Sequence, residues 1–239
     1  SETQDNVAIL NLQARNLEAV YNEKKRTGDL EMAWKTAVAA FKSAKTPGPD
    51  RDEALAKLVS LADRVREPLG NVWLQEALAE QADVSMEILS NAGLQTVKNR
   101  LGVPQGVRLQ NLKLQQRVVE AVLKAAPARA TDWRSALELL AQNWRTEAEW
   151  SLQQDRTSTR GPQMEFDPFG NVFFGQPEQQ FMQNPESAMV PPLSTADILK
   201  YSPSEEWIKA LDPSLQPGFQ RLLAQLHLKV KEDKEAFPY

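Results

Sequence analysis

Residues 17–41, LEAVYNEKKRTGDLEMAWKTAVAAF, hold two apolar patterns on either side of a basic break. Before the break, apolar residues recur every three or four positions and end at Tyr21. After the break, the same spacing returns from Leu30 to Phe41. Because residues three and four apart share one face of an α-helix, this stretch predicts two amphipathic helices joined by a short turn. An all-α fold built from helical hairpins is therefore expected.

The break between these two helices contains residue types that are typical of a helix end. Lys24, Lys25 and Arg26 suit the negative C-terminal end of the helix dipole. Gly28 is predicted to take the left-handed conformation that ends many helices, and Asp29 is predicted to cap the next helix. The basic run is therefore interpreted as part of a helix end rather than as a binding patch.

The helical spacing continues outward to about residue 154. The break at Pro47–Pro49 is followed by Asp50 and Glu53, whose spacing resembles a capping box for a third helix. Further helices are predicted over about 71–90, 107–125 and 132–152. Short loops favour antiparallel neighbours, so residues 1–154 are expected to form a helical-hairpin domain stacked as a solenoid or a bundle.

Composition excludes several kinds of site. The net charge of −4 and the pI near 5.3 argue against a nucleic-acid surface, which usually has a basic face. The chain has no cysteine, which excludes disulfides and thiolate ligands, and its single histidine, His227, excludes a multi-histidine metal site. No apolar run approaches the roughly 20 residues of a membrane span. No cofactor, metal, nucleic-acid partner or membrane span is therefore predicted.

The sequence leaves localisation open. The chain starts with Ser1 rather than Met, which is compatible with removal of a signal peptide or another upstream segment. A soluble protein is expected, either cytoplasmic or exported.

Residues 155–192 differ in composition from the helical part and are predicted to be an insert or a linker. Nine of the 15 prolines lie between residues 162 and 217, which disfavours long helices there. A turn sequence at Asp167–Gly170 has residues suited to short strands on both sides, which predicts a small β-hairpin. The insert also carries five phenylalanines, Phe166, Phe169, Phe173, Phe174 and Phe181.

Helical signals return in residues 193–239. Ser194 with Asp197, and Ser202 with Glu205, both have capping-box spacing. Residues 210–239, ALDPSLQPGFQRLLAQLHLKVKEDKEAFPY, resemble a tetratricopeptide (TPR) repeat. The junction before the repeat is matched by Ala210, Asp212 and Pro213. Positions expected to pack the two helices of the repeat together are matched by Leu222, Ala224, His227, Ala236 and Tyr239.

The TPR resemblance implies a particular organisation of the whole chain. The first helix of the repeat would end in a turn at Lys231-Glu232, and Tyr239 would lie about one turn into the second helix. Because a repeat cannot bury its apolar face without its neighbours, the chain is expected to be a fragment of a larger protein with more repeats beyond Tyr239. Residues 17–41 resemble the repeat more loosely, and helical hairpins stacked as a TPR-like α-solenoid are expected.

The favoured function is a non-catalytic protein–protein interaction scaffold that binds a protein or peptide partner in a groove. Groove candidates are Asn16, Asn22, Lys24 and Gln225. Two alternatives stay open. The first is a helical enzyme or enzyme subunit that uses paired carboxylates for acid–base catalysis. The second is a docking module whose five insert phenylalanines bind a partner, although the same rings could instead hold the insert on the helical body.

Overall fold

The computed structural model describes the backbone of residues 2–65, 68–99, 103–158, 165–166, 172–173 and 191–236. Side chains are described for residues 6–65, 68–94, 103–153 and 191–233. Over these ranges the protein is mostly helical, which confirms the all-α prediction.

Ten α-helices and two very short strands lie in the described part of the chain. The helices are α1 (Glu2–Lys24), α2 (Thr27–Ser43), α3 (Pro49–Ala62), α4 (Leu69–Ala79), α5 (Ala82–Asn99), α6 (Gln105–Ala125), α7 (Arg134–Ser158), α8 (Thr195–Lys200), α9 (Glu205–Ala210) and α10 (Gln216–Ala236). A 3₁₀ turn, Pro127–Arg129, precedes α7, and the strands are β1 (Glu165–Phe166) and β2 (Val172–Phe173).

The helices pack around one continuous hydrophobic core. α1 and α2 form a hairpin, and α3 lies against both. α3 and α4 pack on α6, whereas α5 packs on α7. α8 and α10 lie on α7 and on each other, and α9 lies on α6. A single cluster of buried residues runs from Ala14 to Leu226, so the C-terminal helices share the core of the first seven. The division of the chain at residues 154 and 192 stays a prediction.

Two buried tryptophans fasten the C-terminal helices to α7. The Trp144 indole N–H donates to the Ile198 carbonyl in α8 at 2.9 Å. The Trp207 indole N–H, from α9, donates to the Leu137 carbonyl in α7 at 3.1 Å. Leaving a buried donor unpaired costs about 1–3 kcal/mol, so these bonds favour one position of α8 and α9 on the helical body.

The turn between α1 and α2 differs from the prediction. Lys25, not Gly28, takes the left-handed conformation, with φ of 54°. Its backbone N–H donates to the Tyr21 carbonyl at 2.7 Å and closes the last turn of α1. α2 therefore starts at Thr27, and both Gly28 and Asp29 lie inside its first turn, so the predicted roles of these two residues are wrong.

The start of α3 also differs from the prediction. Its N-cap is Gly48, followed by Pro49 in the first helical position, and no side chain caps the helix. Proline is favoured there because its fixed φ suits a helix and its missing N–H is not needed. The predicted capping box is wrong, since Glu53 instead accepts a hydrogen bond from Arg15 of α1 at 2.7 Å.

The helix expected over residues 71–90 is in fact two helices. α4 ends at Ala79 and α5 starts at Ala82. The break contains neither glycine nor proline, so the local sequence carries no stop signal. Tertiary packing explains it, because α4 packs on α6 whereas α5 packs on α7.

The first predicted cap in the C-terminal segment is confirmed and the second is shifted. The Asp197 backbone N–H donates to Ser194 Oγ at 3.1 Å, which caps α8. For α9 the capping residue is Ser204 rather than Ser202, and its Oγ accepts from the Trp207 backbone N–H at 3.3 Å.

α10 is one uninterrupted helix from Gln216 to Ala236, so the predicted turn at Lys231-Glu232 is wrong. Residues 219–236 have neither glycine nor proline, and most of them favour helix. Lys229 and Asp233 also form an (i, i+4) ion pair of 2.9 Å across the expected turn, which stabilises the continuous helix.

Within the insert, β1 and β2 pair as antiparallel strands, with Glu165 opposite Phe173 and Phe166 opposite Val172. The Asp167–Gly170 turn lies outside the described residues, so the complete hairpin stays a prediction.

Candidate functional site

A groove of about 370 Å³, lined mostly by polar residues, lies between α3 and α6. One wall comes from α3 and the turn after it, and the other from α6. The lining residues are Ala56, Val59, Ser60, Asp63 and Arg64 on the first wall, and Gln110, Asn111, Lys113 and Leu114 on the second. Val59 is buried at its base. Because residues three or four apart share a helix face, Ala56 and Ser60 lie in one row on α3, and Arg64 lies in the turn that follows the helix.

Ion pairs fix the charged side chains where α3 ends. Lys113 Nζ lies 2.5 Å from Asp63 Oδ2, and Arg117 Nε lies 3.0 Å from Asp63 Oδ1. Arg117 also donates to the side-chain carbonyl of Asn71, at the start of α4. Both oxygens of Asp63 are therefore engaged, and three helices meet at this carboxylate.

A second ion-pair cluster joins α3 to α1 beside the same groove. Glu18 of α1 accepts from Lys57 Nζ at 2.6 Å and from Arg64 Nε at 2.8 Å. Arg64 Nη1 also donates to Asn22 Oδ1 at 2.8 Å. Burial acts to raise the pKa of Glu18, but the hydrogen bonds and charges of Lys57 and Arg64 outweigh it and hold that pKa below its ordinary value. Glu18 therefore stays ionised at neutral pH.

The cations beside the groove remain partly accessible to solvent. The side chain of Arg64 is 38% exposed and that of Lys113 is 32% exposed, whereas Glu18 is only 9% exposed. Glu18 is thus buried behind Arg64, which lines the groove. Asp63 itself lines the groove, but both of its oxygens are paired with cations. This arrangement presents hydrogen-bond donors and positive charge to whatever enters it.

A second cavity, of about 220 Å³, lies beside the loop between α2 and α3. It is lined by Val7, Ser43, Ala44, Lys45, Thr46, Pro47, Gly48, Pro49, Asp50 and Arg51. Asp50 is its one carboxylate, just as Asp63 is the one carboxylate that lines the α3–α6 groove. Neither cavity presents the pair of carboxylates that acid–base catalysis would need.

Burial raises the pKa of two other carboxylates, Asp52 and Glu120, and they do not form a pair. Asp52 is influenced by Arg51 and Glu87. The pKa of Glu120 is affected by a different set of neighbours: Lys124, Gln116, Arg117 and Glu206. Within the described residues, no group of three or more histidine, aspartate or glutamate side chains is placed to hold a metal ion.

A buried ion pair holds the chain where it returns from the insert. Arg108 of α6 and Glu147 of α7 lie 2.7 Å apart, with only 1% and 5% of their side chains exposed. Arg108 also donates to the Pro191 carbonyl, and its guanidinium lies 4.7 Å from the centre of the Trp150 ring. Gln105 donates to the Pro192 carbonyl at 2.8 Å. These contacts fix the chain just before α8.

The residues predicted to pack a TPR repeat lie in different environments. Leu222 is buried in the core, next to Phe219 and Leu226 on the same face of α10. Ala224 and His227 are exposed. Ala236 is described only as backbone at the end of α10, and Tyr239 lies outside the described residues.

Of the five insert phenylalanines, two lie on the paired strands β1 and β2. Phe166 and Phe173 belong to β1 and β2, with only their backbone described. Phe169, Phe174 and Phe181 lie outside the described residues.

Among the groove candidates from sequence, only one contacts a groove residue. Asn22 accepts a hydrogen bond from Arg64. Asn16, Lys24 and Gln225 are exposed elsewhere on α1 and α10.

Sequence reasoning missed the cations of the groove. Lys57 lies in α3 and Arg64 lies seven residues later, in the turn after that helix, and this spacing of about two helical turns is a detectable but weak signal. Their shared partner Glu18 is 39 and 46 residues away, and only the packing of α1 on α3 brings it close. Nothing in the local sequence indicates that contact.

Comparison with known protein families, curated proteins and solved structures gives no significant match to this chain. In the part of the chain that the structure describes, the helices are too short or too polar for any of them to span a membrane.

Proposed function

We propose that this protein is a non-catalytic scaffold that binds a segment of a partner protein in the groove between α3 and α6. The observation that carries the proposal is the groove's lining of polar side chains, held by ion pairs to α1 and α6, with a hydrogen bond from Arg117 of α6 to Asn71 of α4 beside them. Side chains that are already ordered lose little conformational entropy on binding, which favours affinity.

The shape and chemistry of the groove support binding rather than catalysis. Its volume of about 370 Å³ would hold only a few side chains of a peptide. Its polar rim and buried Val59 base resemble the wet rim and apolar centre of many protein interfaces. It has one carboxylate, Asp63, and both oxygens of that carboxylate already have partners. An acid–base pair would require a second, free carboxylate.

In this proposal the helices are stacked hairpins of a TPR-like scaffold. The hairpin of α1 and α2 supports it, as does the end of α9 at Ala210 directly before Leu211-Asp212-Pro213, where the repeat junction was predicted. The continuous α10 departs from the repeat pattern. The family assignment itself stays a prediction.

Site-specific photocrosslinking tests the proposal directly, because the chain has no cysteine of its own. Ala56 is exposed and lines the groove, so an Ala56→Cys variant can carry a benzophenone maleimide at its mouth. Ala224 is exposed on α10, outside the groove, and an Ala224→Cys variant is the matched control. Both labelled proteins are irradiated in a lysate of the source cells, and the adducts are identified by mass spectrometry.

We expect an adduct that is specific to the Ala56→Cys variant and whose protein binds the purified, unlabelled chain. Adducts of equal yield at both positions would contradict the proposal. A partner that binds the wild type but not a variant with all five insert phenylalanines changed to serine would place the interaction on the insert instead.

A further inference from the structure

We infer that the partner segment bound in the α3–α6 groove is acidic, with aspartate or glutamate side chains that contact Arg64 and Lys113. This inference rests on the proposed function and names the chemistry of the partner. It follows from the charge balance and hydrogen-bond capacity of the groove.

The surroundings of the groove carry more cations than carboxylates. Lys57 and Arg64 share Glu18, and Lys113 and Arg117 share Asp63. Two carboxylates therefore face four cations. The next charges along α6 are Glu120 and Lys124, and Glu206 of α9 also lies close to Glu120, so the excess of cations does not extend along α6 beyond Arg117. The whole chain has a net charge of −4, so this positive region is local and not a consequence of overall composition.

Two of these cations retain hydrogen-bond donors for a ligand. A guanidinium has five N–H groups, and Arg64 uses its Nε and Nη1 for Glu18 and Asn22. An ammonium has three N–H groups, and Lys113 is paired with Asp63. Both side chains line the groove and are about one-third exposed. Carboxylates are the groups that guanidinium and ammonium ions bind most strongly among protein side chains.

The resident carboxylates do not repel an acidic partner strongly. Both oxygens of Asp63 face a cation, and Glu18 is shielded behind Lys57 and Arg64. A basic partner would instead meet the two cations that line the groove, Arg64 and Lys113, and lose affinity through like-charge contacts. Single-stranded nucleic acid carries phosphates of the same charge, but the acidic chain outside the groove would repel its long backbone.

Fluorescence anisotropy with designed peptides tests the inference. The probe is a short fluorescein-labelled peptide of alternating glutamate and serine, and its control has glutamine at each glutamate. We expect the acidic peptide to bind at least about tenfold more tightly than its glutamine control, since a hydrogen bond to a charged group is worth about that factor or more. The affinity should fall as salt rises, because salt screens exposed charges.

Variants locate the binding. Arg64→Met combined with Lys113→Met should weaken binding of the acidic peptide by about tenfold or more. The control combines Lys42→Met with Lys209→Met, which changes net charge equally at exposed lysines of α2 and α9 and should leave binding unchanged.

A second pair of variants leaves every ion pair intact. Ala56→Glu places a negative charge at the groove mouth, and Ala56→Gln places a neutral side chain of similar size there. Ala56→Glu should bind the acidic peptide several-fold more weakly than Ala56→Gln, because like charges repel.

Three results would overturn the inference, and they differ from failure of the proposed function. The first is equal binding of the acidic and glutamine peptides. The second is acidic-peptide binding that is unaffected by every groove variant. The third is tighter binding of single-stranded oligo-dT with the same dependence on Arg64 and Lys113. A crosslinked partner at the Ala56→Cys position in any of these cases would leave the scaffold function standing.

Discussion

Replacing Gly70 by alanine should force α3 and α4 apart and distort the α6 side of the groove. A Cβ atom at Gly70 would lie 2.2 Å from the Ala62 carbonyl oxygen and 3.1 Å from the Ala62 carbonyl carbon. Real contacts of this kind lie beyond 3 Å, so the backbone itself would have to shift by close to an ångström. Asn71, the next residue, holds Arg117 beside the groove and would move with it.

The expected loss of stability follows from two opposing effects. Overpacking of this kind costs about 1–3 kcal/mol, and more when backbone atoms must move. Alanine in place of glycine in a helix recovers up to about 1 kcal/mol. Because backbone atoms must move here, the cost lies at or above the upper end of that range, and we expect Gly70→Ala to lower the free energy of unfolding by about 2 kcal/mol or more.

Gly106→Ala is the matched control, because no atom lies within 4 Å of a Cβ at that position of α6. The control should raise stability by about 0.5–1 kcal/mol through helix propensity alone. Urea unfolding followed by circular dichroism measures the stability of both variants, and the difference between their midpoints gives the difference in their free energies of unfolding. Equal stability of the two variants would refute the close approach of α3 and α4.

Three further substitutions test the packing. Arg108→Met should lower stability by about 3–5 kcal/mol in urea unfolding, because it removes the buried cation that is paired with Glu147. The double change with Glu147→Met should recover most of that loss. No recovery would argue against a buried pair. Gly28→Ala should raise the free energy of unfolding by about 0.5–1 kcal/mol, and with it the thermal midpoint, since the residue is helical with open space around it. A lower thermal midpoint would indicate that Gly28 needs its conformational freedom.

Glu18→Gln tests the electrostatics. The folded-state pKa of Glu18 is depressed, so its contribution to stability is present above the ordinary value of 4.5 and is lost as pH falls through the folded pKa. The variant should therefore be less stable than the wild type at neutral pH, and the gap should narrow on acidification below about that value. A gap that stays constant with pH would contradict the ion pairs to Lys57 and Arg64.

The all-α fold could be predicted from sequence because each long helix carries an apolar stripe of helical spacing. Leu30, Ala33, Trp34, Ala37 and Phe41 are all buried, as that spacing requires for α2. The ends of the helices were less predictable, since several neighbouring residues in each case could act as the cap. Lys25 closes α1 before Gly28 is reached, and Ser204 rather than Ser202 caps α9.

The groove itself could not be predicted, because its parts come from distant stretches of the chain. Asp63 meets Lys113 and Arg117 only because α3 packs on α6, and Asn71 arrives with α4. Each of these residues alone looks like an ordinary exposed polar residue of a helix. The insert phenylalanines are the opposite case. Their clustering in the sequence predicts a binding site, whereas the charged residues that line the groove form no pattern in the sequence.

Blocking the groove tests the central claim most directly. The Ala56→Cys variant, alkylated with a bulky maleimide, is compared with its unmodified form and with the Ala224→Cys variant alkylated in the same way. Binding is measured to the partner captured at Ala56 by photocrosslinking. The account predicts that alkylation at position 56 abolishes binding, whereas alkylation at position 224 leaves it intact. Undiminished binding with the groove blocked would mean that the partner docks elsewhere on the protein.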